Sequence, residues 1–430
     1  MSEETSLQDP RLVLWRYARE TAEAADFATL DRAAGCLAVA VADMVMSSRT
    51  ERHRTVAQTL AGAPGVCTVS GLAQRVDITS AVLTNSYLMH ARLTDDSFRV
   101  AAHPGLAIVP VALAALEHAA LLPAQPSDGE RLLRAVVGGY ECACRLAERL
   151  LPAVSQRGWR VTSVISPLAA AATMSLMLAL PEDSACAALG LAAAATGGPL
   201  GVVSTGGDGW ILQPALAVQA GVSAAIAASA GLTGGAGTLA GPHGLYSMFG
   251  DGSGLEPPQP EARASIHRVT FKRFPVAMYG QSIFAALQGL PPVTGTLRRI
   301  SVRLAPFASS YGNQSDASAD SISSVEGITR AALRAFHPGL VADWGDPERL
   351  EVVGDPTLSE LSARVDIELD DGRVLTLTGN GDTSGWGSTD FARHCTTLLG
   401  DIGGRLYDAA AGLPHGSSTD QLLGLWRAAR

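Results

Sequence analysis

The chain has 430 residues, of which 47% are hydrophobic and 17% charged, and its formal net charge is −9. That balance describes a globular chain of two or three domains, not a disordered one, and the acidic surplus speaks against a nucleic-acid partner, which would need a basic face. Only 5% of residues are aromatic while Ala and Gly are abundant, so a closely packed helical core is expected.

The opening MSEETSLQDP is acidic and polar. It lacks the basic start and apolar core of a secretion signal, which gives a cytoplasmic expectation. Asp9 and Pro10 predict an N-cap and first turn, and residues 28–46 carry apolar side chains three and four apart, a helical period. Ser127-Asp128-Gly129-Glu130 predicts another helix start, continuing through Leu132, Val136, Val137, Tyr140 and Leu146. The apolar stretches 167–180, 185–200 and 212–230 are built mainly from Ala and Gly and are interrupted by Gly or Pro, so they predict buried helices and no membrane span. The glycine-rich run 197–209 has no preceding strand and no phosphate-loop Lys, and reads as helix-ending turns.

The character changes near Gly250. Residues 250–264 are rich in Gly, Pro and acid, a linker composition. Beyond it, residues 267–274 and 299–304 alternate as strands do. Residues 364–369 and 373–378 flank Asp370-Asp371-Gly372, a hairpin signature. Helices are predicted over 281–287 and 323–336, and the helical pattern returns after Phe391. The fold class is therefore mostly α: an all-helical domain from residues 1–265 plus 391–430, with a smaller α+β lid, 266–390, inserted. A cleft between two domains is the usual place for a small-molecule site. Six cysteines without a CxxC pair read as buried reduced thiols. With no HExxH or HxH spacing, no metal is expected.

Several segments, in order, carry a resemblance. They are 81–96 (AVLTNSYLMHARLTDD), His103-Pro104-Gly105, Gly139-Tyr140-Glu141 with Arg145, 158–162 (GWRVT), the Ala-rich 215–228, the glycine-rich 231–244, and 271–275 (FKRFP). Each is weak alone; together and in this order they resemble the MmgE/PrpD (2-methylcitrate dehydratase-like, cis-aconitate decarboxylase-like) superfamily, as a divergent member. The resemblance implies a helical domain and a lid enclosing the active site, a homodimer, no cofactor, and a small carboxylate-bearing substrate. It implies dehydration, decarboxylation or epimerisation by proton transfer beside the carboxylate. Such chemistry needs a tuned base, cations for the carboxylate and an acid for the leaving group.

Residue by residue, the resemblance makes His103 the general acid/base, against a plain role in orienting the Pro-Gly turn. Asp96 either supports His103 or caps the loop, and Ser97 stands at a substrate-binding Thr position. Lys272 is a carboxylate anchor or an edge lysine. Arg160 replaces a histidine; it is a poor proton shuttle but a good carboxylate clamp, or else a structural ion pair. Trp210 stands where the family often has Lys, which suggests a less acidic, bulkier substrate. Leu93 replaces an acid, Ala277 a histidine and Gly327 a tyrosine. Tyr279 is a substitute acid, with Tyr311 and Asn313 as lesser ones, and His243 is a second loop candidate. His90 and His118 read as satisfied core or interface residues. Three functions follow: a cofactor-free lyase or isomerase in a specialised biosynthetic pathway; a cyclase or rearrangement catalyst for a more apolar intermediate; and a non-catalytic binding protein, in which His103, Asp96 and Lys272 would fail to converge.

Overall fold

The computed structural model describes residues 9–118, 129–205, 207–256, 263–312, 323–341 and 349–430. Ser127, Asp128 and Asn313 lie outside them, as does part of the 250–264 linker. The molecule is mostly helical with a small sheet.

Helix Pro10–Glu23 starts where Asp9 accepts from the Arg11 amide with Pro10 in the first turn, and helix Phe27–Ser48 starts on Asp26. The latter is buried along almost its whole length, because the helices around it cover every side of its small residues. Helix Gly129–Leu150 packs on helix Val161–Met177. A Cβ on Gly139 would lie 2.2 Å from Thr173 Oγ1, so only glycine permits this approach. Helix Gly209–Ser229 is long and apolar enough to cross a membrane, yet half of it is buried against helices Val161–Met177, Glu182–Ala193 and Ile78–His90.

The passage to the smaller lobe departs from the expected strand over 267–274. Ser265–Arg268 is a tight helical turn, and beyond it one isolated bridge joins Thr270 to Ser97. Side chains satisfy this backbone in place of a neighbouring strand. Glu141 accepts from the Ser265 amide at 2.7 Å. Arg32 donates to the carbonyls of Ile266, Val269 and Trp386, stacked against Phe271 and Phe391. Thr383 Oγ1 both accepts from and donates to Phe271, and Gln281 accepts from the amides of Arg273 and Phe274. The period-2 pattern there comes from burial while crossing between lobes.

In the smaller lobe the described strands form one sheet in the order Leu350–Gly354, Leu297–Leu304, Ser362–Leu369, Val374–Asn380. The last three pair antiparallel, and the turn around Gly372 joins the final two. Leu350–Gly354 runs parallel to Leu297–Leu304, an edge strand absent from the sequence reading. Helices Met278–Gln288 and Val325–Phe336 lie together, the former across the sheet. Ser324 caps the second by accepting from Gly327. Helices Ser388–Leu399 and Asp401–Ala411 return to pack on Phe27–Ser48.

Candidate active site

A crevice opens between the lobes. The helical lobe lines it with Leu93, Val100, His103, Arg160, Val203, Ser204 and Trp210. Ala277, Met278, Tyr279, Tyr311 and Ser323 come from the other side.

Chain geometry builds its polar floor. Helix Ile78–His90 ends on His90, and the chain then reverses through Leu93, whose φ of 53° lies in the left-handed region, a strained setting for a branched residue. The reversal returns Asp95 to the helix end, and His90 Nδ1 donates to Asp95 Oδ2 at 2.8 Å. Lys272, wholly buried, donates to Asp95 Oδ1 and to its carbonyl, both at 2.7 Å. Arg160 donates to His90 Nε2 at 2.7 Å and to the Trp210 carbonyl. These bonds fix neutral His90 with its proton on Nδ1. The Trp210 ring stands edge-on to His90 at 5.2 Å.

His103 sits on this floor at 8% exposure. Its Nδ1 lies 3.0 Å from the Asp96 carbonyl, 3.2 Å from Lys272 Nζ and 3.6 Å from Asp95 Oδ2. At this nitrogen the Asp96 carbonyl can only accept and the Lys272 ammonium can only donate; the tautomer with its proton on Nδ1 bonds the carbonyl and leaves the Nε2 lone pair to the crevice. Burial first, and then the Lys272 ammonium, hold the imidazole well below its ordinary pKa, so the ring is neutral at pH 7. Burial opposes ionisation of Asp95, but Lys272 and the two imidazoles outweigh it and keep that carboxyl well below the usual carboxylate range.

Asp96 is the adjacent acid, and it faces elsewhere. Its Oδ1 accepts from the Gly105 amide at 3.0 Å, so it meets His103 through its backbone carbonyl alone. Burial, with the Asp95 charge adding to it, pushes the Asp96 carboxyl up to about 7. A Cβ on Gly105 would fall 2.5 Å from Asp96 Oδ1 and 2.7 Å from the Tyr140 hydroxyl. Gly105 of the His-Pro-Gly sequence is thus a steric requirement of the turn that presents His103.

The other sequence candidates are placed as follows. Ser97 lies off the crevice lining, its hydroxyl donating to the Arg99 and Ala102 carbonyls. Lys272 lies beneath the floor, committed to Asp95. His243 stands exposed on a turn outside the lining. Tyr279 lines the crevice with its ring while its hydroxyl donates to the Ser323 carbonyl. Tyr311 also lines it, within electrostatic reach of Arg160. Gly327 lies in the buried first turn of its helix. His118 ends helix Val109–Glu117 with Nδ1 buried and no hydrogen-bond partner among the described residues.

His90 and Asp95 are the residues the sequence reading did not assign to the site. Their signal was a histidine closing a helix with two acids within six residues. Ligand atoms of His90, Asp95 and His103 lie within 4.8 Å of one another, a donor set able to hold a metal ion. An ammonium already faces it, because Lys272 Nζ touches both Asp95 and His103. His103, Asp95 and Lys272 converge, with Arg160 one residue away through His90.

The MmgE/PrpD N-terminal domain family model matches residues 16–258 of this chain. No curated protein matches it.

Proposed function

The chain belongs to the MmgE/PrpD family, whose members are typically lyases such as dehydratases and decarboxylases, and from that premise we propose that it is a cofactor-independent lyase or isomerase with His103 as its base. The observation that carries this reading is the His103 ring. Its Nδ1 is tied down by the Asp96 carbonyl and its Nε2 is left to the crevice.

The base removes a proton from the carbon beside a carboxylate. As Nε2 takes it, the new imidazolium finds Asp95 Oδ2 at 3.6 Å from Nδ1, which stabilises the charge, while Lys272 at 3.2 Å opposes it. The balance makes a short-lived acid that returns its proton readily, to the same carbon, its opposite face or a leaving group. Arg160 holds the carboxylate and supports the charge that develops on it.

Replacing His103 with Asn tests this. General acid–base catalysis typically contributes 10²–10⁴-fold, so turnover is expected to fall by about that much while the circular dichroism spectrum and melting temperature stay near those of the parent. An H103N variant with full activity removes the assignment. Cyclisation or rearrangement of a more apolar substrate is the second reading, and Leu93, Val100, Val203, Trp210, Ala277 and Met278 along the walls favour it.

A further inference from the structure

The cations near the crevice are unequally committed. Lys272 is neutralised by Asp95, with two bonds at 2.7 Å to that one residue. Arg160 is buried, 3% exposed, and its two partners are a carbonyl and a neutral imidazole. No carboxylate pairs with it among the described residues. It also occupies the N-cap position of helix Val161–Met177, the end where the helix dipole is positive and favours anions, not cations. Burial accordingly lowers its pKa from the usual arginine value. A buried guanidinium without a counter-ion, at a positive helix end, on the wall of an open crevice, is a place made for one anion.

The remaining walls set the rest of the ligand. Leu93, Val100, Val203, Trp210, Ala277 and Met278 offer carbon surface. Tyr279 gives its hydroxyl to Ser323. A second or third carboxylate on the substrate would meet these groups with no charge to receive it, and would lose its hydration for nothing.

We infer that the substrate carries a single anionic group, bound by Arg160, on a mainly apolar body lying against Trp210 and Leu93. This rests on the proposed reading of the crevice as the active site and narrows its substrate class to amphiphilic monocarboxylates. The carboxylate then anchors the molecule with its neighbouring carbon presented to His103, while the apolar body fills the walls.

The test is a binding titration on the full chain, read by calorimetry and by Trp fluorescence. The probes are octanoate, its neutral amide octanamide, and citrate. Octanoate is expected to bind about tenfold or more tightly than either of the others, the range of a charge-assisted pair. Arg160→Gln is expected to lower octanoate affinity to that of the amide while leaving the amide unchanged. Citrate binding equal to or tighter than octanoate overturns the proposal, as does octanoate binding that Arg160→Gln does not weaken. Should the variant misfold, the three probes on the parent chain decide alone. Binding does not require turnover, so this result stands apart from whether the His103→Asn variant remains active.

Discussion

The two sides of the crevice are chemically unlike. From the helical lobe come His90, Asp95, His103 and Arg160, joined into one hydrogen-bonded chain with Lys272 at the crossover. From the sheet-bearing lobe come Ala277, Met278, Tyr279, Tyr311 and Ser323, which add surface and hydroxyls but no charge. A buried hydrogen-bonded charge cluster is rigid, because moving one member leaves another buried and unpaired. An apolar wall can be resized at little cost in stability. On the proposed function, the floor carries the proton chemistry and the opposite wall adds to the surface that selects what enters.

If that division is right, the floor must be intolerant of single losses. Lys272 and Asp95 are both wholly buried. Breaking such a pair by removing one partner typically costs about 3–5 kcal/mol, chiefly from the charge left behind. Lys272→Met is expected to lose that much in urea unfolding. Adding Asp95→Asn removes the orphaned charge and keeps an acceptor for His90, so the double variant should regain a substantial part. A loss below about 1 kcal/mol for Lys272→Met would mean that the floor is not the rigid element proposed.

How much of this could be read from the chain follows the same division. The lid's hairpin was legible because the Asp-Asp-Gly turn and the alternation on either side are local signals. Its parallel edge strand Leu350–Gly354 was not, because its partner lies some fifty residues earlier and none of its five residues is buried, so no alternation of burial marks it. In the site, His103, Arg160 and Trp210 were identified from motif positions, and the structure brings all three to one crevice. The motif points to Asp96 as the support of His103, and the structure puts the Asp95 carboxylate there instead. Which of two adjacent acids faces the histidine depends on the backbone reversal through Leu93, and no periodicity reveals a reversal. His90 read as a core histidine for the same reason: it is buried and fully bonded, and only the fold shows that its bonds belong to the site.

A smaller effect probes the depth of the floor. Asp43, on helix Phe27–Ser48, is wholly buried, and neither carboxyl oxygen has a hydrogen-bond partner among the described residues. Burial pushes its pKa up to about 8, while the unfolded chain ionises it near 4. Between those values the folded state holds a proton that the unfolded state has released. Folding stability contributed by the protonated form is therefore complete below about pH 4 and is lost as pH rises toward 8. Asp43→Asn is uncharged at every pH. It is expected to match the parent near pH 4 and to exceed it by a margin that grows steadily up to about pH 8, measured by urea unfolding at about pH 4 and about pH 8.5. Asp96, pushed up to about 7, keeps part of the slope in the variant. Equal pH profiles for parent and variant would show that Asp43 ionises freely and that this part of the core is wetter than its burial indicates.

The smallest expected effect tests the opposite wall, through a residue that sequence reasoning offered as an acid. Tyr279 is a ring on that wall whose hydroxyl is occupied by the Ser323 carbonyl, and burial raises its pKa far above 10. A phenol so placed gives up its proton reluctantly and already has an acceptor other than substrate. Tyr279→Phe should then cost about 1 kcal/mol of stability, the net worth of one hydrogen bond, and change turnover by no more than about threefold. General-acid loss would instead lower turnover by 10²-fold or more and flatten one limb of the pH–rate profile. Finding that larger loss would move part of the proton chemistry onto the sheet-bearing lobe. Closing that lobe would then complete the catalytic set as well as choose its substrate.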